Sequence, residues 1–157
     1  MEVVKVWSSK DASFGVASSL VVALYRGRTT LEMLEQLDAL QSELIKKHPR
    51  ISTLTIIGQL EMLKVDEAVR GRSVELGKKF EKNVRGSAIV VSTKGLAAVM
   101  VRTFLSGFFL LSKSEMPMKT FASTTEALAW LQSLPDQDMV VKTEVSVADV
   151  ERYIALP

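Results

Sequence analysis

The chain contains no cysteine. That absence excludes a disulfide framework, a thiolate nucleophile and any cysteine-based zinc site, and it fits a reducing compartment. Histidine is nearly absent too: His48 is the single one. It precedes Pro49 at a helix end, where an imidazole complements the dipole. With no second histidine beside it, neither metal binding nor general-base catalysis has support. Charge of one sign is also not in excess. Twenty Lys and Arg against 18 Asp and Glu leave +2, too little to argue for a nucleic-acid partner. The opening MEVVKVWSSK has no apolar core of the kind a signal peptide needs, so a cytoplasmic location is expected. The carboxylates are scattered over helix surfaces. GRSVELGKKF offers Gly71 and Gly77 followed by Lys78, but it does not follow a strand directly and lacks the Gly-Lys-Ser/Thr of a phosphate loop. No catalytic residue, metal ligand or cofactor is therefore expected, and the chain is read as non-enzymatic.

Apolar material is plentiful. Hydrophobic residues make up 47% and charged residues 24% of 157 residues, which suits one globular domain with a substantial core. The most apolar run is GLAAVMVRTFLSGFFLLSKS, Gly95 to Ser114, whose only charge before Lys113 is Arg102. A membrane span needs about 20 predominantly apolar residues. The apolar part of this run, Gly95 to Leu111, has only 17 residues and carries its charge near the middle, so no span is expected. A helix apolar nearly all round is usually buried. Phe104, Phe108 and Leu111, however, occupy a different face from Leu105 and Phe109, and a single sheet covers one side only. A second layer is expected: a helix, another subunit or an apolar ligand. An unpaired charge among apolar neighbours is costly, so Arg102 should reach solvent, a carboxylate, an interface or a ligand.

The remaining chain reads as alternating elements. EVVKVWS is a strand, KDAS a turn, and Phe14 to Gly27 one long β-prone segment with a bulge expected near Ser18 and Ser19. Thr29 and Glu32 have capping-box spacing, and Leu31, Leu34, Leu37, Leu40 and Leu44 recur at helical spacing until Pro49 ends the helix. Ile51 to Gly58 is a β-branched central strand. A weaker helix spans about Val65 to Val84. Gly86 to Ser92 is a strand, followed by the apolar helix, with Ser92 and Thr93 placed to cap it. Met118 to Ser123 is a strand leading into a helix capped by Ser123 and Glu126 and closed by Pro135. After a polar loop, Ser146 and Asp149 start a short C-terminal helix. The order β-β-α-β-α-β-α-β-α implies an α/β fold with a mixed, mostly parallel sheet of about five strands, opened by a hairpin and flanked by helices.

On these residues a resemblance rests. The order of elements is similar to the STAS/SEC14-type fold. MKTFASTTEALAWLQSL, with Phe121, Ala129, Trp130 and Leu131, resembles the end of the SpoIIAA-like group, where a strand with a central Phe runs into a capped helix ending in Ala-Trp-Leu. The resemblance covers residues 1–135 and leaves 136–157 as a loop and short helix packed on the same domain. It implies a bacterial module with no common enzymatic activity, working through protein contacts or binding small or lipid-like ligands. Antagonists of the anti-sigma type are switched at a serine after the central strand. TIIGQLEM offers Gly58 and Gln59 there but no serine, and Thr55 lies within the strand.

Three groups of residues stand out as candidate sites. Met100, Arg102, Phe104, Leu105, Phe108 and Phe109 form a candidate interface for a protein partner or a homodimer. Arg70, Arg72, Lys78 and Lys79 could meet an acidic partner or an anion, although a charged helix face is usually only solvated. Ser92 and Thr93 are capping hydroxyls first. A phosphate there would meet free helix N–H groups. The leading expectation is a signalling or scaffolding module acting through protein–protein contacts. The alternative is a carrier with an apolar pocket for a small molecule or lipid.

Overall fold

The computed structural model describes residues 1–58, 65–91, 95, 98–99, 101–102 and 114–157. Six strands form one sheet: β1 (Val4–Ser8), β2 (Ala12–Ala17), β3 (Leu20–Tyr25), β4 (Ile51–Ile57), β5 (Val84–Val91) and β6 (Met118–Phe121). They lie side by side in chain order. The first three run antiparallel, and β3 to β6 run parallel. Among the elements described in full, five helices accompany them: α1 (Leu31–Lys47), α2 (Glu67–Phe80), α3 (Thr124–Gln132), α4 (Met139–Glu144) and α5 (Val147–Ile154). The mixed, mostly parallel sheet expected from the sequence is present, with six strands instead of about five.

The extra strand comes from the segment Phe14 to Gly27. Its serines do not bulge a long strand; they reverse the chain. Ala17 pairs with Leu20, so Ser18 and Ser19 are the whole connection, and Ser18 takes φ 54°. Two-residue hairpins favour such positive φ because it matches the twist of the flanking strands. Without glycine or asparagine in the loop, nothing in the sequence advertised the turn.

Helices cover both faces of the sheet, as parallel strands require. On one face α1 and α2 bury Met33, Leu34, Leu44, Val69, Leu76 and Phe80 against the strands. On the other, α3, α4 and α5 press Leu128, Leu131, Val141, Val150 and Tyr153 onto Leu20, Val22, Leu54 and Ala88. The cap of α1 is Thr30, whose hydroxyl accepts from the Met33 N–H, one residue beyond the expected Thr29. Ser123 caps α3, but its hydroxyl donates to the Glu126 carboxylate at 3.3 Å. Among the described helices, α5 alone carries the full reciprocal box, between Ser146 and Asp149. The edges are protected from pairing with other chains: β1 shifts register between Lys5 and Trp7, and β6 is four residues long.

The expected polar loop after Pro135 holds α4, capped by Asp138, whose carboxylate accepts from the Val140 N–H at 2.9 Å. Its other oxygen accepts from Ser18 at 2.8 Å and Ser19 at 2.7 Å, so one side chain ties the hairpin turn to the tail. Burial alone would raise the Asp138 pKa. The hydroxyls of Ser19 and Ser18, then the Val140 N–H, outweigh it and hold the carboxyl below its ordinary value. Next to it, buried Gln137 donates to Ser52 at 3.0 Å and to the Leu131 carbonyl at 2.8 Å.

Gly71 lies inside α2, with nothing within 4 Å of where a Cβ would stand. Gly71→Ala should raise stability by about 0.5–1 kcal/mol, since glycine loses more backbone freedom in a helix than alanine does. The gain would be read by thermal unfolding as a Tm higher by about 1–4 °C.

Candidate functional site

The face under α1 and α2 is not filled evenly. Where β3, β4 and β5 pass beneath the two helices there is a cavity of about 390 Å³. Successive side chains of a strand leave opposite faces, so its floor is made of alternate residues: Ala23 and Tyr25, Thr53 and Thr55, Ser87 and Ile89. In register, Ala23 stands beside Thr55 and Thr55 beside Ile89, with Tyr25 one inward position further along, beside Ile57. The walls come from one face of each helix: Leu34, Leu37 and Gln41 from α1, and Ser73, Leu76 and Phe80 from α2. Among the described residues that line it, none is charged.

The polar lining divides into two sets. In the first, needs are met within the protein: Thr53 donates to Ser87 at 2.8 Å, and Ser73 to the Val69 carbonyl at 2.9 Å. In the second, the Tyr25 hydroxyl, the Gln41 amide and the Thr55 hydroxyl have no hydrogen-bond partner among the described residues, and their polar atoms are not sealed from the surrounding space. Tyr25 is 5% exposed and Gln41 7%. Burial pushes the Tyr25 phenol above its ordinary value, so it stays protonated and able to donate. Its ring is held from the side by Phe14, edge to face at 5.9 Å.

The α1–α2 wall is clamped by charge. Arg72 donates to Glu35 at 2.8 Å and to Asp38 at 2.7 Å, and Lys79 donates to Asp38 at 2.6 Å. The hydrogen bond from Lys79 is the main reason that the Asp38 carboxyl sits below its ordinary value. Of the four cations expected to meet an acidic partner, Arg72 and Lys79 are thus engaged with α1, while Arg70 and Lys78 are exposed.

The candidate interface is described only in part. Ala98, Val99, Val101 and Arg102 are helical. Ala98 is buried against Phe14 and Val91, and Val99 is 48% exposed. Arg102 is half-buried and donates from Nη1 to the Val91 carbonyl at 2.9 Å. Met100, Phe104, Leu105, Phe108 and Phe109 lie outside the described residues, as do Ser92 and Thr93. Among the described residues no three metal-ligating side chains come together, and no helix is long and apolar enough to cross a membrane.

Sequence reasoning missed the unpartnered polar groups of the cavity. The signals were small. Gln41 interrupts a leucine stripe at a buried position of α1, and Thr53 and Thr55 alternate inside an otherwise aliphatic strand.

Comparison with known proteins adds the lineage. A family model described as SpoIIAA-like matches residues 20–132. No curated protein matches the chain. A solved structure of an uncharacterized protein with a SpoIIAA-like fold from Shewanella loihica is similar, with a TM-score of 0.53 and 20% identity over 80% of this chain and 98% of that one. The family match spans β3 to α3, the strands and helices that enclose the cavity, and by that match the chain belongs to the SpoIIAA-like family.

Proposed function

We propose that the chain is a non-enzymatic regulatory module that binds a small apolar ligand between its sheet and helices α1 and α2. The observation that carries this is the cavity itself. Its size, about 390 Å³, falls within the roughly 300–1,000 Å³ of small-molecule pockets, and its lining is apolar with a few polar groups, as such pockets are. The SpoIIAA-like fold is consistent with a regulatory role. The test uses 1,6-diphenylhexatriene, a pure hydrocarbon that fluoresces in apolar surroundings. The reading expects saturable fluorescence at one dye per chain. Gly77 lines the cavity, and a Cβ there would meet nothing within 4 Å. Gly77→Leu should therefore fill the space and abolish the signal while the chain stays folded. Absence of saturable binding to the native chain overturns the reading.

A second reading is a signalling or scaffolding module working through protein contacts, including a homodimer. Val99 favours it, because a large aliphatic side chain of the apolar run is 48% exposed. Val99→Asp is expected to abolish self-association or partner capture, measured by light scattering and pull-down. The change in stability should stay within about 0.5 kcal/mol, as at other surface positions. A chain that remains monomeric at high micromolar concentration removes the homodimer from this reading.

A further inference from the structure

We propose that the cavity selects a neutral amphiphile (an alcohol, ketone, ester or amide on a short apolar body) and holds its polar group through Tyr25, Gln41 and Thr55. This rests on the ligand-binding reading above and names what that site recognises.

The first argument is the missing partners. Buried polar groups are nearly always hydrogen-bonded, and a tyrosine hydroxyl in particular finds a partner when its ring is buried. Here the hydroxyl of buried Tyr25, the amide of buried Gln41 and the hydroxyl of half-buried Thr55 line one apolar space with no partner among the described residues, while Thr53, Ser73 and Ser87 around them are hydrogen-bonded. None of the three is sealed off, since the one sealed side-chain polar atom without a hydrogen bond among the described residues is Arg85 Nε; each polar atom is open to a molecule that enters the cavity. The three therefore suit a molecule that brings its own polar atom. They also complement one another: a phenol donates, an amide donates and accepts, and a second hydroxyl does both.

The second argument is charge. A carboxylate or phosphate taken into such a space has to be paired, because an isolated buried ion is strongly disfavoured. Among the described residues no lining side chain is charged. The nearby cations Arg72 and Lys79 are occupied by Glu35 and Asp38. The site is thus built for a dipole and against an ion. Ligand recognition divides accordingly: Leu34, Leu37, Leu76 and Phe80 enclose the apolar body, and the Tyr25–Gln41–Thr55 set selects the polar group.

The experiment is competition against bound 1,6-diphenylhexatriene, with 1-decanol and with decanoate at pH 8 as the displacing compounds. The expected result is displacement by decanol at concentrations about tenfold or more below those of decanoate. Tyr25→Phe, Gln41→Leu and Thr55→Val keep side-chain shape. Each should weaken decanol about three- to tenfold, the equivalent of one lost hydrogen bond, while the hydrocarbon dye, which has no polar atom, binds as before. If the dye binds but decanoate competes as well as decanol, or the three variants leave decanol unchanged, this inference is overturned and the cavity still stands as a ligand site. If the dye does not bind the native chain, the ligand-binding reading itself fails.

Discussion

Replacing Tyr153 with alanine is expected to lower the stability of the fold by about 3–5 kcal/mol, the range for truncating a large buried aromatic. In a chain of this size that corresponds to a Tm lower by roughly 6–20 °C. Tyr153 belongs to α5, yet it is 1% exposed and sits within the core cluster formed by Val3, strands β2 to β5 and helices α3 and α4. The sheet is shaped to receive it. A Cβ at Gly15 would lie 2.7 Å from the Tyr153 ring and 2.8 Å from Val3, so only glycine lets the ring approach the backbone of β2. The hydroxyl donates to buried Ser13 at 3.1 Å. Tyr153→Phe should therefore cost less, about 1–3 kcal/mol, since it leaves the ring in place and only strands the Ser13 hydroxyl. Urea unfolding followed by circular dichroism orders the three proteins. A loss below about 1 kcal/mol for the alanine variant would mean that the tail is an appendage and not part of the core.

Asp138→Ala should remove about 2–3 kcal/mol, because one carboxylate serves three donors. Losing a helix cap costs about 1 kcal/mol, and hydrogen bonds to a charged group contribute about 1.5–3 kcal/mol before the exposed part is discounted. Removing the side chain frees the start of α4 and leaves Ser18 and Ser19 without their acceptor. The turn it releases already holds Ser18 at positive φ, a conformation that side chains other than glycine adopt at a cost. The same carboxylate sets an acid limit. Asp38, Asp138 and Asp149 all sit below the ordinary carboxyl range in the fold. For Asp149 the hydroxyl and backbone N–H of Ser146 are the main cause. A group depressed in this way contributes its full stability above its unfolded value, about 3.9 for Asp, and loses it as pH falls through the folded value. Stability should thus be flat near neutrality and decline below about pH 4. Asp138→Asn should lower the plateau and make that decline shallower. An unchanged slope in a series of urea titrations would show that Asp138 gains nothing from its partners.

Much of this architecture was legible beforehand because it is written in local signals. The β-branched run at Ile51, the leucine spacing of α1 and the Ser146–Asp149 box each decide an element without tertiary help. Two things failed for physical reasons. The turn at Ser18–Ser19 and the helix α4 both depend on Asp138, more than a hundred residues from the serines it holds, and no local window contains both ends of that bond. The ion pairs between α1 and α2 were not legible either, because charge alone says nothing about the neighbour. Arg72 and Lys79 reach Glu35 and Asp38 only once α1 lies beside α2. The cavity was legible only in outline. The sequence gives the polar interruptions at Gln41 and Thr55, but whether such groups find partners is decided by packing.

The strands also stand in the sheet in the order in which a ribosome makes them. Each new strand meets a neighbour already synthesised, so no slot has to be kept vacant for a late arrival, a topology that favours folding from the first residues onward. Like Asp138, Tyr153 arrives late: it reaches back across 140 residues to Ser13. While the tail is still being translated, the glycine-lined groove on β2 has nothing over it. For that interval the nascent chain carries a strip of oily surface, and chaperones and edge-to-edge association compete for it until the last helix docks.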